Sequence, residues 1–140
     1  MTLPLEGVRI VDLTMVWAGP FGTRLLGDYG AEVIKIEAPG QWDLLRGLGL
    51  IPRDQPRWYN KSAYFNHNNR NKYGFALDLR KPEGRDVLLE LVKVSDVIVE
   101  NYRADVMDKL GLGYEAVKAV KPDIIYVSMP GHGKTGPEAH

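Results

Sequence analysis

Two apolar runs separated by a helical stretch open this chain and restrict its fold more than any other feature. Val8-Arg9-Ile10-Val11-Asp12-Leu13 leads into Trp17-Ala18-Gly19-Pro20, an apolar helix is predicted over Phe21 to Tyr29, and Ala31-Glu32-Val33-Ile34-Lys35-Ile36-Glu37 follows. Strand, helix and strand in this order form a βαβ unit, whose strands lie parallel because the helix carries the chain back to the starting edge. A parallel sheet needs cover on both faces, and it binds ligands in the crevice beyond the carboxyl ends of its strands. The residues to inspect first are therefore Val16 to Pro20 and those after Glu37.

The alternation continues downstream. Pro39 to Lys61 is punctuated by glycine and proline and carries Trp42, Trp58 and Tyr59, so it reads as a long loop that is functional or anchored by its aromatic residues. Tyr64 to Lys72 is an amide-rich basic segment, and Phe75-Ala76-Leu77-Asp78-Leu79 reads as a short strand. Pro82-Glu83-Gly84 opens a helix, because Pro suits the first turn and Glu complements the dipole; Val87, Leu88, Leu91 and Val92 give it one apolar face. Val97-Ile98-Val99, short helices over Val106 to Leu110 and Tyr114 to Val120, and a last strand, Ile124 to Ser128, precede a glycine-rich loop, Gly131 to Pro137. Strands alternating with helices predict an α/β fold: a Rossmann-like parallel sheet with helices on both faces.

The 140 residues carry no net charge and no cysteine. A balanced charge without a basic block argues against a nucleic-acid surface. Without cysteine there is no disulfide, no thiolate metal site and no cysteine nucleophile, and the histidine and carboxylate spacings suggest no metal site. No signal-peptide pattern and no membrane-spanning apolar run is present, which sets the expectation of a cytoplasmic protein without membrane contact. A chain that stops in a loop just after a buried strand leaves that strand uncovered. Residues 1–140 thus read as the N-terminal portion of a larger Rossmann-like domain, truncated after the loop 131–137.

Several segments offer chemistry. Glu37 stands where a dinucleotide fold holds a ribose, but the turn Trp17-Ala18-Gly19-Pro20-Phe21-Gly22 lacks the G-x-G-x-x-G fingerprint. Asn68 to Lys72 provides amides and cations for a purine edge and a phosphate, or else forms a polar turn. Asn101-Tyr102-Arg103 follows a strand, so its side chains project at the carboxyl end: Arg103 can grip a phosphate and Tyr102 can lie against an adenine ring. The loop with Gly131, Gly133, Lys134 and Gly136 does not match a P-loop; His132 in it is a general base by type, with no carboxylate partner assignable.

Leu5-Glu6-Gly7-Val8-Arg9-Ile10-Val11-Asp12, Ala18-Gly19-Pro20, Asp28-Tyr29-Gly30-Ala31 through Glu37, Asn69, Asn71-Lys72, Leu77-Asp78-Leu79, Glu100-Asn101-Tyr102-Arg103 and Leu110-Gly111-Leu112-Gly113-Tyr114 occur together and in order, followed by Ile124-Ile125-Tyr126 and Gly136-Pro137. Together they resemble the family III CoA-transferases, the formyl-CoA transferase and carnitine CoA-transferase group, along the whole chain. The resemblance implies a binding site for coenzyme A or an acyl-CoA at the strand ends, with a carboxylic acid as second substrate. It implies that Val16, Trp17 and Ala18 line the reactive arm, that Asn69, Asn71 and Lys72 sit at the adenine and its phosphates, and that Asn101, Tyr102, Arg103 and Lys109 hold the nucleotide and diphosphate. In this family an aspartate attacks the thioester, giving a mixed anhydride and free CoA thiolate; the thiolate returns to form an aspartyl-CoA thioester as the donor acid leaves, and the acceptor acid then attacks that thioester. That aspartate lies beyond the glycine loop, so no catalytic residue is expected among residues 1–140, and the full-length protein is expected to form an interlocked homodimer.

Departures from the family pattern bear on specificity. Trp17 stands where these transferases often carry a smaller or polar residue, Ala38 where some members have an arginine, Ala104-Asp105 in place of a common Pro-Gly, and Pro130 and His132 alter the glycine loop. Two other readings share the same residues: an α-methylacyl-CoA racemase, which differs after residue 140, and a non-catalytic CoA- or nucleotide-binding module.

Overall fold

The computed structural model describes residues 2–49 and 51–139. They form β1 (Arg9–Asp12), α1 (Ala18–Asp28), β2 (Glu32–Glu37), α2 (Ala63–Asn69), β3 (Tyr73–Ala76), α3 (Pro82–Lys93), β4 (Val97–Glu100), α4 (Val106–Lys109), α5 (Tyr114–Val120) and β5 (Ile125–Ser128), with 3₁₀ turns at Leu44–Gly47 and Trp58–Asn60. The strands make one sheet in the order β3-β2-β1-β4-β5, every pair parallel. The chain moves outward from β1 through β2 to β3 and then returns to the other side of β1. The order therefore reverses between β1 and β4, the position where an open α/β sheet holds its ligand crevice.

Alternation along each strand divides the core into two layers. Val11, Ile36 and Ile98 point to one face, where Leu88 and Val92 of α3, Met107 of α4, Leu112 and Val117 of α5 complete an apolar cluster. Ile10, Val33 and Val99 point to the other face with Ala31, next to Leu26 of α1. Helices thus cover both faces, as the α/β pattern predicts. On the second face α1 buries Gly19, Pro20, Thr23, Arg24 and Gly27, while Phe21 and Tyr29 are 44% and 57% exposed. Small residues allow the helix to approach closely; a Cβ on Gly19 would collide with the Thr14 side chain. Phe21, Leu25 and Tyr29 consequently face outward, while Leu26 packs on the core.

Several boundaries differ from the sequence expectation. Helix α1 starts at Ala18, ahead of Phe21. Strand β3 starts at Tyr73, since its register pairs Tyr73 with Ile34 and Ala76 with Glu37; Leu77 to Leu79 lie beyond the strand. The amide-rich segment is helical over Ala63–Asn69, with Ser62 accepting the Phe65 N–H as its N-cap. Val87 is exposed, leaving Leu88 and Val92 as the buried positions of α3. Strand β5 is an edge strand with Ile125 59% exposed.

Candidate functional site

A cleft of about 590 Å³ crosses the carboxyl ends of four strands. Met15 after β1, Ile36 to Ala38 at the end of β2, Leu77 to Arg80 after β3 and Tyr102 after β4 line it, joined by Trp42, Leu44 and by Val106 and Leu110 at α4. Its walls are largely apolar with a charged rim, the composition of a pocket that takes a flat ring and a charged tail. On the rim, Asp78 accepts hydrogen bonds from Arg80 N (3.1 Å), Nε (2.8 Å) and an η nitrogen (2.7 Å). The guanidinium holds the Asp78 carboxyl at about 2. It also leaves Arg80 fixed at the mouth of the cleft.

The long loop after β2 is docked by one cation. Arg46 forms a bidentate pair with Glu37 (2.9 and 2.5 Å), donates to Tyr59 C=O and Asn60 Oδ1, and places its guanidinium 3.5 Å from the Phe65 ring centre. Trp42 packs against Tyr59 and Trp58, with ring centres 4.6 and 5.9 Å away. Glu37 also accepts Asp43 N–H. Its carboxylate is therefore occupied by protein donors, which removes the ribose role considered for it. Burial favours the protonated form of Glu37, but the Arg46 hydrogen bonds and the Asp43 N–H outweigh it and hold the carboxyl below its ordinary value.

A buried charge cluster lies under the α1 side of the cleft. Register pairs Asp12 with Lys35, and alternation puts both side chains on the α1 face. Lys72 Nζ reaches Asp12 Oδ2 (2.9 Å), Thr23 Oγ1 (2.8 Å), Asn69 Oδ1 (2.9 Å) and Pro20 C=O (3.0 Å). Lys35 Nζ lies 3.2 Å from Asp43 Oδ2 and donates to Thr14 C=O at 2.6 Å. Burial would raise the Asp12 carboxyl; Lys35, Lys72 and the Thr14 hydroxyl together hold it below its ordinary value.

At the end of β1 the backbone of Val16 has a φ of 69°. Positive φ in a β-branched residue is a strained conformation, costing on the order of 1–3 kcal/mol. Asp43 accepts the Val16 N–H, and Asn101 accepts from Met15 N and donates to Met15 C=O, both at 2.8 Å.

The residues singled out from the sequence are therefore distributed unevenly. Tyr102 lines the cleft, and burial, with Glu100 and Asp12 nearby, pushes its phenol up to about 12. Val16, Trp17 and Ala18 follow the cleft residue Met15 and are not themselves part of the cleft lining; Trp17 stands edge-on to Tyr64 at 5.6 Å. Lys109 is exposed and paired with Asp105 on α4, beside the cleft residues Val106 and Leu110. Arg103 and His132 line a smaller neighbouring hollow formed by the start of the glycine loop. Asn69 and Lys72 are consumed by the buried cluster, and Asn71 donates to Gly27 C=O near the amino ends of β2 and β3. These last three are thus placed away from the crevice. Sequence reasoning named Trp42 as a loop anchor and passed over Asp43, Arg46 and Arg80; the detectable signals are Asp43 as a turn N-cap and the Asp78-x-Arg80 pair directly after a strand.

The family model described as CoA-transferase family III matches residues 5–140. The chain belongs to this family. It is 49% identical over 138 residues to the succinyl-CoA:glutarate CoA-transferase of Mus musculus, covering 98% of this chain and 30% of that protein. It is 44% identical over 137 residues to the acetyl-CoA:oxalate CoA-transferase of Acetobacter aceti, covering 98% and 34%. Among solved structures, a CAIB/BAIF family protein from Brucella suis superposes with a TM-score of 0.89 at 40% identity, covering 99% of this chain and 36% of that one. The chain spans about a third of the length of these relatives. Among the described residues no helix is long and apolar enough to cross a membrane, and no group of three or more His, Cys, Asp and Glu residues is arranged to hold a metal ion.

Proposed function

We propose that the protein carrying this chain transfers coenzyme A from an acyl-CoA to a carboxylic acid, and that residues 1–140 supply the CoA-binding portion of a larger Rossmann-like domain. The single observation that carries this reading is the cleft across the strand ends at the β1–β4 reversal, in a chain of the CoA-transferase family III. Trp42 and Tyr102 offer aromatic surface to an adenine, and for its phosphates we assign Arg103 of the neighbouring hollow, with Arg80 at the cleft mouth and Lys109 on α4 exchanging their exposed partners Asp78 and Asp105. Val16 to Ala18 border the Met15 end, where the reactive arm would reach. The acyl-accepting carboxylate is read as an aspartate outside residues 1–140, since the buried Asp12 and Asp43 are committed to Lys72 and Lys35. This chain's share of the reaction is to bind the nucleotide, hold the thioester still and exclude water. The transferase relatives support transfer over racemisation, and the outward apolar residues of α1, Phe21 and Tyr29, give a homodimer surface to use.

The test is to supply the intact protein with acyl-CoA donors and isotopically labelled short mono- and dicarboxylic acids, and to follow new CoA thioesters by mass spectrometry. A labelled thioester is the expected product; none across the panel would overturn the assignment. In the same protein Arg103→Ala is expected to weaken CoA binding by about tenfold, the scale of one charge-assisted hydrogen bond. Unchanged affinity by calorimetry would remove Arg103 from the site.

A further inference from the structure

The turn that leaves β1 is held from two sides by side chains belonging to other elements. Just past the end of β4, the Asn101 amide engages both Met15 N–H and Met15 C=O, so its donor and acceptor are both turned toward the backbone of a segment 86 residues away. From the loop after β2, both Asp43 oxygens lie 3.2 Å from Val16 N. Asp43 is in turn fixed by Leu45 N–H at 3.0 Å and by the buried Lys35 ammonium, which also grips Thr14 C=O. Four consecutive positions, Leu13 to Val16, are thereby tied: Leu13 N–H bonds Val99 C=O in the ladder, and Thr14 N–H bonds Asp12. Two buried charges are a costly way to stabilise an interior, because well-packed apolar residues of similar size usually do as well or better. What the charged pair and the amide provide is direction: an acceptor aimed at one N–H, and an otherwise unfavourable backbone angle kept at Val16.

We propose that Asn101 and Asp43 are positioning residues of the acyl-transfer site. They keep Val16 left-handed, so that Val16, Trp17 and Ala18 stay aimed at the acyl end of the bound thioester. Lys35 acts through Asp43 by holding its carboxylate in place. The inference rests on the acyl-CoA reading given above. It assigns Asn101 to the backbone of Met15 instead of to the nucleotide.

Glycine adopts positive φ without steric cost, so a glycine at position 16 no longer needs the clamp. This makes a double-mutant cycle the test, run on the intact protein with kcat, KM for acyl-CoA and the Kd of CoA measured separately. Asn101→Ala is expected to lower kcat about tenfold while changing the CoA Kd less than about twofold, the scale of one released strained residue. Introduced together with Val16→Gly, the same substitution is expected to cost less than about threefold relative to Val16→Gly alone. Asp43→Asn, which preserves shape and removes the charge held by Lys35, is expected to follow the same pattern and serves if Asn101→Ala does not fold. Equal losses in the two backgrounds, or a loss of CoA affinity matching the loss of kcat, would overturn the clamp. Absence of transfer by the unmutated protein would overturn the function and the clamp together, and is recognised before any variant is compared.

Discussion

On one face of the sheet, Val11, Ile36 and Ile98 meet Leu88 and Val92 of α3, Met107 of α4 and Val117 of α5, with the buried Glu100 carboxylate, 3.7 Å from Lys134 Nζ, at the carboxyl end of this layer; on the other, α1 comes in through glycine, proline and threonine and encloses Asp12, Lys35, Lys72 and Asp43. Apolar contact is non-directional and scales with the area removed from water. It can hold a sheet together while leaving the exact course of a loop undetermined. Hydrogen bonds and ion pairs are directional, and a buried one left incomplete is expensive, so each partner has one acceptable place. The α3–α5 face secures the fold, and the α1 face secures where the chain goes when it leaves β1 and β2. Both layers reach the same crevice: Ile36, Leu77, Leu79, Tyr102 and Leu110 of the apolar layer line it, and the polar layer holds the turn at Met15 and Val16 on its border.

Breaking the polar layer is expected to have the largest effect. Lys72→Ala leaves Asp12 buried without its nearest cation and should cost about 4 kcal/mol by urea denaturation. Combining Asp12→Leu with Lys72→Met should restore most of that stability. A single-variant loss below about 1 kcal/mol would erase the contrast between the faces. Leu88→Ala on the apolar face should cost about 3 kcal/mol through the cavity it leaves, yet leave kcat and KM of the folded protein unchanged. An altered kcat there would show that the apolar layer also sets the site.

Arg46→Ala sharpens the comparison at the boundary between the layers, with an expected loss of about 2 kcal/mol at neutral pH because Glu37 keeps its burial and loses its cation. The sign with pH follows from the depressed Glu37 carboxyl. The unfolded chain takes up its proton first as pH falls, so the stabilisation is full above the ordinary carboxylate range, about 4, and is lost as pH drops through the lowered folded value. The gap between Arg46→Ala and the parent protein should therefore narrow as pH falls below the ordinary carboxylate range, about 4, as read from denaturation midpoints. A constant gap would mean that Arg46 acts through its stacking on Phe65 and not through Glu37.

The same division explains what could be read in advance. Helix α5 was legible from its pattern, bounded by Gly113 and Pro122, and the βαβ opening gave the sheet its parallel sense. Tyr102 was legible as a site residue because any residue just past a parallel strand projects into the crevice. Helix α2 was not legible, because its buried face is Phe65 with Asn68 and Asn69, and amides carry no apolar period. Strand β3 was displaced for a related reason: all four of its residues are exposed, so its limits come from pairing with β2. Lys72 read as a phosphate ligand because a lysine beside asparagines is usually solvated. Only the approach of Asp12, sixty positions earlier, shows where its charge is spent. Asp43 and Asn101 depend on partners across the fold, and local spacing does not reveal them.

A crystal structure of the intact protein with CoA bound tests the cleft as the coenzyme site most directly. The adenosine is expected between Trp42, Leu79 and Tyr102, with the pantetheine arm leading past Met15 toward Val16. CoA bound elsewhere on the chain, with this cleft filled only by solvent, would contradict it.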